Sequence, residues 1–175
     1  MYLLFQLLLS VILFSLCIFI HELGHYILIK RYNISIISYG IGFGPTLKKF
    51  GKFHLKFFPI GAYIEPENLD LLDPVKKFYI AMAGPLISIV YSIFLMLISF
   101  YYKNYGLDML ALFNFYFALF NLMPIPPMDG WVMTQAVCER INKPLSPKIK
   151  SVANRVGNGV IWGLGFLIIA KGVGF

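Results

Sequence analysis

From Met1 to Ile20 the only clearly polar side chains are Gln6, Ser10 and Ser15. Twenty residues at about 1.5 Å each reach about 30 Å, one hydrocarbon thickness, so this run predicts a membrane-spanning helix. A cleaved signal peptide would want a basic start and a small-residue cleavage site. Here the chain begins Met-Tyr-Leu-Leu and the helical run continues past His25, so the first span is expected to be retained. Three more apolar runs follow, at about 78–102, 109–123 and 152–170, the last rich in glycine (Gly157, Gly159, Gly163, Gly165) and so suited to close helix packing. The composition agrees: 59 % hydrophobic and 13 % charged over 175 residues, where a soluble domain runs at roughly half and a quarter. The expected fold class is an α-helical integral membrane protein. It has about four transmembrane helices (1–29, 78–102, 109–123, 152–170) in a single membrane-embedded unit, 1–175.

The stretch from Lys30 to Lys77 is different in kind. Tyr39-Gly-Ile-Gly-Phe-Gly-Pro45 mixes turn formers with β-branched and aromatic residues, and Phe53 to Phe58 and Pro59 to Ile64 follow with weak alternation. This predicts a small membrane-associated β-hairpin or sheet over about 34–64. Glu65 to Asp73 reads as an acidic, proline-punctuated loop. Of the fifteen lysines and arginines, eight lie between Lys30 and Lys77 and five between Arg140 and Arg155. That bias puts both basic segments in the cytoplasm and the N-terminus outside, in a multi-pass protein of the cytoplasmic membrane. The net charge of +7 is thereby topological and meets anionic lipid, so no nucleic-acid partner is expected. Cys17 and Cys138 are neither close in sequence nor in a ligand spacing, which argues against a disulfide or thiolate site.

His21-Glu22-Leu23-Gly24-His25 lies near the end of the first span. On a helix the two histidines sit about 40° apart and one turn apart in height, so both imidazoles can bind one zinc ion while Glu22 reaches a water at the metal. If Lys30 and Arg31 mark the interface, His25 lies about 7 Å and His21 about 13 Å inside the hydrocarbon edge. Ionisable residues at such depth are functional by default, the bland alternative being a polar cluster that joins helices. A zinc hydrolase needs a third protein ligand. Glu65, Glu67, Asp70, Asp73 and Asp108 read as solvated loop residues, and Glu139 as a surface partner of a neighbouring Arg or Lys. Asp129 follows Asn121-Leu-Met-Pro-Ile-Pro-Pro-Met128, where three prolines in four residues forbid regular helix. Irregular backbone near membrane depth is tolerated only where it is buried or lines a cavity. Asp129 is therefore the expected third metal ligand. Asn121 either satisfies backbone freed by the prolines or, as favoured here, hydrogen-bonds substrate backbone. His54, among Lys52 and Lys56, reads as a surface side chain.

These motifs in this order, His-Glu-Leu-Gly-His, Gly42-Phe-Gly-Pro45, Ala83-Gly84-Pro85 and Asn121-x-x-Pro-x-Pro-x-x-Asp129-Gly130, resemble the site-2 protease family of intramembrane zinc metalloproteases. Phe58-Pro-Ile-Gly-Ala-Tyr-Ile64 also looks like that family's membrane-associated hairpin. The resemblance implies zinc, one ion per chain, on His21, His25 and Asp129, with Glu22 as general base and Asn121 holding substrate. It looks like a minimal form, with neither the PDZ domain of better-known bacterial members between the second and third spans nor a nucleotide-sensing domain after the last. Trp131 replaces an expected glycine, Gly61-Ala62 an expected Gly-Gly, and Ser88 an expected asparagine. None of the three is expected to touch a ligand.

The activity so implied is intramembrane proteolysis, hydrolysis of peptide bonds within or beside a transmembrane segment. The partner would be a single-pass membrane protein or membrane-bound peptide in the bilayer. A transmembrane helix hides its carbonyls in its own hydrogen bonds, so the substrate must unwind. The hairpin around Ile60, Gly61 and Ala62 could offer it a strand edge, or could merely plug the membrane surface. A prenyl-protein-type metalloprotease would be expected to draw a ligand from a downstream glutamate, and after the first span only Glu139 lies near a membrane segment. A catalytically inactive membrane adaptor or metal-binding protein of the same fold is the other alternative, although all four catalytic positions are intact. The sequence names neither a substrate nor an oligomeric state.

Overall fold

The computed structural model describes residues 2–173. Helix α1 (Tyr2–Arg31) leads into two strands, β1 (Ile36–Phe50) and β2 (Phe53–Pro66), followed by a single 3-10 turn at Leu69–Leu71. Helices α2 (Pro74–Tyr102), α3 (Tyr105–Asn121), α4 (Asp129–Arg140) and α5 (Pro147–Val173) complete the chain. The helix starts are written locally. Asp73 caps α2 by accepting the Val75 and Lys76 N–H groups at 2.9 and 3.3 Å, with Pro74 in the first turn where its missing N–H costs nothing. Lys103 in the left-handed region ends α2, and Asn104 caps α3 through Leu107 N–H at 3.2 Å, so two residues reverse the chain.

The packing is inverted relative to a water-soluble bundle. On α2 the buried face carries Ala81, Ala83, Gly84, Ser88, Ser92 and Ser99, whereas Leu86, Val90, Ile93, Phe94, Leu97 and Phe100 are exposed. Small and hydroxylated residues inside and large apolar residues outside are what a lipid solvent selects. The buried hydroxyls are matched: Ser92 donates to the Ala111 carbonyl at 2.7 Å and Ser99 to that of Asn104 at 2.8 Å. Helices α2 and α3 thus lie side by side with their backbones close, and α1 and α4 pack on other faces of α2. Near the basic end of α1, Ile29, Ile36 and Ile80 form a buried cluster that joins α1, β1 and α2.

Both strands bend sharply. Tyr39, Gly40 and Ile41 pair with Ile64, Tyr63 and Ala62 on one side and with Phe53, His54 and Leu55 on the other. The first set runs antiparallel; the second advances in the same direction along both segments, so two strands fold into a small mixed sheet. Gly40 sits where a Cβ would fall 2.0 Å from the His54 carbonyl oxygen, which explains why only glycine fits at that junction. The Ala62–Ile64 segment faces β1 on one side only, and among the described residues no other strand pairs with it.

The expected element boundaries shift in places. The hairpin region ends at Pro66 rather than 64, α2 starts at Pro74 rather than 78, and α5 starts at Pro147 rather than 152. Four transmembrane helices were expected. Among the described residues two helices are long and apolar enough to cross a membrane, within α1 (Val11–Arg31) and at α2. Helix α3 has 17 residues, about 25 Å, and the chain breaks at the proline segment before resuming as α4. A helix over 129–140 was not foreseen, because its polar and charged residues hide a core-facing side at Gly130 and Ala136. The glycines of α5 divide. A Cβ on Gly157 would lie 2.2 Å from the Pro126 carbonyl oxygen, so that glycine permits a close approach, whereas Gly159 and Gly163 face open space.

Candidate metal centre

His21 and His25 project from one face of α1 toward α2 and α4, and both are buried. Asp129 stands at the first residue of α4, where a carboxylate also suits the positive end of the helix dipole. Its Oδ2 lies 2.9 Å from His21 Nε2 and 3.4 Å from His25 Nε2, and the two Nε2 atoms are 3.3 Å apart. Residues 108 positions apart in sequence therefore converge on one point. Two imidazole nitrogens and a carboxylate oxygen are a zinc donor set, and with bonds of about 2.0–2.1 Å tetrahedral donors stand about 3.3 Å from one another. The three separations bracket that value, so the residues fit a metal of this kind. Glu22 also brings an oxygen within 4.8 Å of both imidazoles, but Asp129 is the carboxylate in direct contact with them. Glu22 stands beside the cluster, half-buried, in a cleft of about 200 Å³ that His25, Tyr63, Ile64, Lys77 and Asp129 also line.

The Ala83-Gly84-Pro85 turn of α2 explains how the histidines are seated. At Gly84 a Cβ would lie 2.3 Å from His25 Nε2 and 2.8 Å from His21 Nε2, so the bare backbone of α2 is the floor of the site. Gly24 meets the same turn from α1; a Cβ there would fall 2.3 Å from the Ala83 carbonyl oxygen. Two glycines facing each other thus set the α1–α2 separation. Pro85 has no N–H for the Ala81 carbonyl and loosens the turn next to Ile80. The Ile80 carbonyl accepts Nδ1–H of His25 at 2.7 Å, which leaves Nε2 of a neutral His25 as the free donor atom. His21 is held by side chains instead. Its Nδ1 lies 3.2 Å from Ser88 Oγ, and its ring packs edge-on against Phe117 with centroids 5.1 Å apart.

Each sequence-derived candidate has a definite place. His21, Glu22, His25 and Asp129 come together. Asn121 ends α3 and donates its amide to the Phe117 carbonyl at 2.9 Å, one turn back in its own helix and not among the carbonyls that the prolines leave without a donor. The side chain of Ile60 lies outside the described residues; Gly61 adopts φ 90°, and Ala62 lines an apolar pocket next to the metal cleft, together with Glu22 and Tyr63. His54 is a half-buried partner of the Tyr63 hydroxyl at 3.1 Å rather than a bare surface residue. Glu139 pairs at 2.7 Å with Lys77, a buried lysine on α2, and at 3.4 Å with Lys150 of α5. Burial works to raise the Glu139 pKa, but these two lysines outweigh it and hold the carboxyl below its ordinary value. One expectation is corrected outright: Ser88 does touch a candidate ligand, because one helical turn past Gly84 its hydroxyl faces His21. The roles of Gly24, Gly84 and Ser88 were missed because they depend on how α1 crosses α2. Gly24 stands in His-Glu-Leu-Gly-His and Gly84 in Ala-Gly-Pro, but neither motif shows the crossing.

The sequence model of peptidase family M50 matches residues 9–108 and 104–164. A Campylobacter jejuni protein provisionally named a zinc metalloprotease is 33 % identical over 121 residues, which are 58 % of this chain and 32 % of that protein. A Rickettsia conorii protein with the same provisional name is 28 % identical over 167 residues, 83 % of this chain and 42 % of its own length. The chain thus spans about a third to two fifths of these curated relatives. Among solved structures, the site-2 protease from Methanocaldococcus jannaschii superposes with a TM-score of 0.58 at 25 % identity, over 93 % of this chain and 66 % of that one.

Proposed function

Since the chain belongs to peptidase family M50, the site-2 protease family, we propose that it is an intramembrane zinc endopeptidase, cleaving peptide bonds within or next to transmembrane segments. The observation that supports this most is the convergence of His21, His25 and Asp129 within 3.4 Å of one another beside a half-buried Glu22. In this reading the three would hold one zinc ion, which when bound supplies Lewis acidity to the scissile carbonyl and to water. Glu22 takes the proton from water and returns it to the leaving amine; it lines the cleft that borders the ligand cluster. The low polarity of the surrounding helices strengthens each of these interactions and keeps bulk water away.

The substrate would be a single-pass membrane protein or a membrane-bound peptide, lying in the bilayer. Its unwound segment would add to the one-sided Ala62–Ile64 edge, whose Tyr63 and Ile64 border the same cleft as Glu22. Ile60, Gly61 and Ala62 would then shape that edge. Asn121, with its amide nitrogen committed to Phe117, keeps an oxygen for a substrate N–H. The full arrangement we propose has about four membrane spans in the cytoplasmic membrane, the N-terminus outside and the site toward the cytoplasm, with α3 and α5 tilted or locally thinning the bilayer.

The test combines metal content with cleavage of a transmembrane model substrate in detergent. Wild type should carry one zinc and cleave, and His21→Ala, His25→Ala and Asp129→Ala should lose the metal. Glu22→Gln should keep zinc and cleave at least about 100-fold more slowly. Zinc retained by Asp129→Ala would refute the ligand set, and an active Glu22→Gln the base. A wild type that holds zinc and cleaves nothing supports the adaptor reading.

A further inference from the structure

The two histidines are anchored differently. His25 leans on a backbone carbonyl, which no substitution removes, whereas the outer nitrogen of His21 faces Ser88, a side chain the sequence could have chosen otherwise. Ser88 is fully buried, and its own carbonyl accepts Asn114 Nδ2 from α3 at 2.6 Å. Asn114 is fully buried too, and its Oδ1 has no hydrogen-bond partner. Ser92 and Ser99 separately fasten α2 to α3 and to its N-cap with satisfied bonds. A buried amide bonded at one end only is costly, and this one sits one turn from Phe117, the ring that packs on His21.

We infer that Ser88 and Asn114 are positioning residues for the metal centre, acting through His21. This rests on the zinc reading above. For His21 to offer the Nε2 lone pair beside Asp129, its proton must sit on Nδ1, and Ser88 Oγ is the acceptor there. The serine hydroxyl then has its own hydrogen to place, and the orphaned Asn114 oxygen, reached through one buried water, is the acceptor that completes the chain. Asn114 also grips the Ser88 peptide, so α3 sets where the hydroxyl points. The site is thereby built by α1, α2, α3 and α4 together. A helix with no metal ligand of its own tunes the metal.

The experiment measures zinc affinity by chelator competition on the purified chain, alongside the visible spectrum of the cobalt-substituted protein and the melting temperature of the metal-free form. Ser88→Ala removes one hydroxyl from a packed helix and should weaken zinc binding about 10- to 100-fold, the usual effect of losing a ligand's outer partner. It should also shift the cobalt bands and leave the metal-free melting temperature unchanged. Asn114→Ala should weaken zinc in the same direction, and the double variant should lose less than the product of the two, because they act in one chain. Zinc affinity within threefold of wild type in Ser88→Ala overturns the inference, as does a loss matched by equal destabilisation of the metal-free form. Strictly multiplicative losses overturn the part assigned to Asn114. A wild type that takes up no zinc overturns the function proposed above and this inference with it.

Discussion

Gly84→Ala is a perturbation of a single methyl group whose consequence can be worked out from the geometry. The added Cβ would stand 2.3 Å from His25 Nε2, 2.6 Å from His25 Cε1 and 2.8 Å from His21 Nε2. Ordinary van der Waals contact starts near 3.4 Å, so the His25 ring must retreat by about 1 Å and that of His21 by about half as much. Neither can retreat freely: Nδ1 of His25 is held by the Ile80 carbonyl and that of His21 faces Ser88. Metal sites tolerate ligand displacements of about 0.2 Å. The methyl group also points at the atoms that face the metal rather than at the backs of the rings. Because the colliding atoms are side-chain atoms, the fold accommodates the change at a cost of about 1–3 kcal/mol, typical of overpacking. The expected result is a folded protein with at least about a 100-fold loss of zinc affinity and no cleavage. Zinc by mass spectrometry, melting temperature and proteolysis of a transmembrane model substrate read these separately. Gly159→Ala, whose new methyl meets nothing within 4 Å, is the control that should match wild type in all three. Stoichiometric zinc and normal cleavage in Gly84→Ala would refute the reasoning.

Gly24→Ala should behave in the opposite sense, because its Cβ would meet the Ala83 backbone oxygen, which cannot swing aside. It is expected to lower the melting temperature more than Gly84→Ala does, and an equal or smaller drop would contradict the close α1–α2 crossing. The Glu139 carboxylate, held below its ordinary 4.5 by Lys77 and Lys150, contributes stability that is fully present above that value and is lost as pH falls through its lowered folded pKa. Glu139→Gln should therefore be less stable than wild type at pH 7 by roughly 1–3 kcal/mol, since it gives up the charge-assisted contacts to Lys77 and Lys150, and the gap should close on acidification; a gap independent of pH would argue against the pair. Ala62→Pro puts a residue without an N–H into the Ala62–Ile64 segment and should slow cleavage several-fold with zinc still bound, unchanged cleavage being the result that excludes strand addition.

Much of the site was legible because its chemistry is confined to a few residue types. Two histidines one turn apart can share a metal only on a helix, and a helix is what an apolar run of twenty residues must be in lipid. Asp129 was legible for a different reason: three prolines in four residues enforce a break, and a break at membrane depth needs a purpose. What the sequence hid is what depends on crossing geometry. The buried serines of α2 occupy positions that a lipid-facing leucine could equally fill by hydropathy alone. Only the crossing of α1 and α2 shows that Ser88 faces His21. Likewise the polar character of 129–140 conceals a helix, whose Gly130 and Ala136 are buried against the rest of the chain.

The same contrast bears on why the centre is built across four helices. A single helix can offer two imidazoles at a fixed spacing, but it cannot supply a third donor on the same point, an acceptor behind each ring and an open side for water. Each of these comes from a different direction: Asp129 from α4, the Ile80 carbonyl and Ser88 from α2, Phe117 from α3. In water such a constellation could be carried on loops. In lipid the backbone must satisfy itself, so the directions have to come from helices brought close enough for short side chains to reach. That closeness is what Gly24, Gly84 and Gly157 supply, each against a backbone or ring atom under 3 Å from where a Cβ would stand. On this argument the glycines belong to the chemistry as much as the ligands do. A variant that restores metal affinity to Gly84→Ala should therefore arise by shortening a side chain or shifting the α1–α2 crossing, and not by adding a fourth donor.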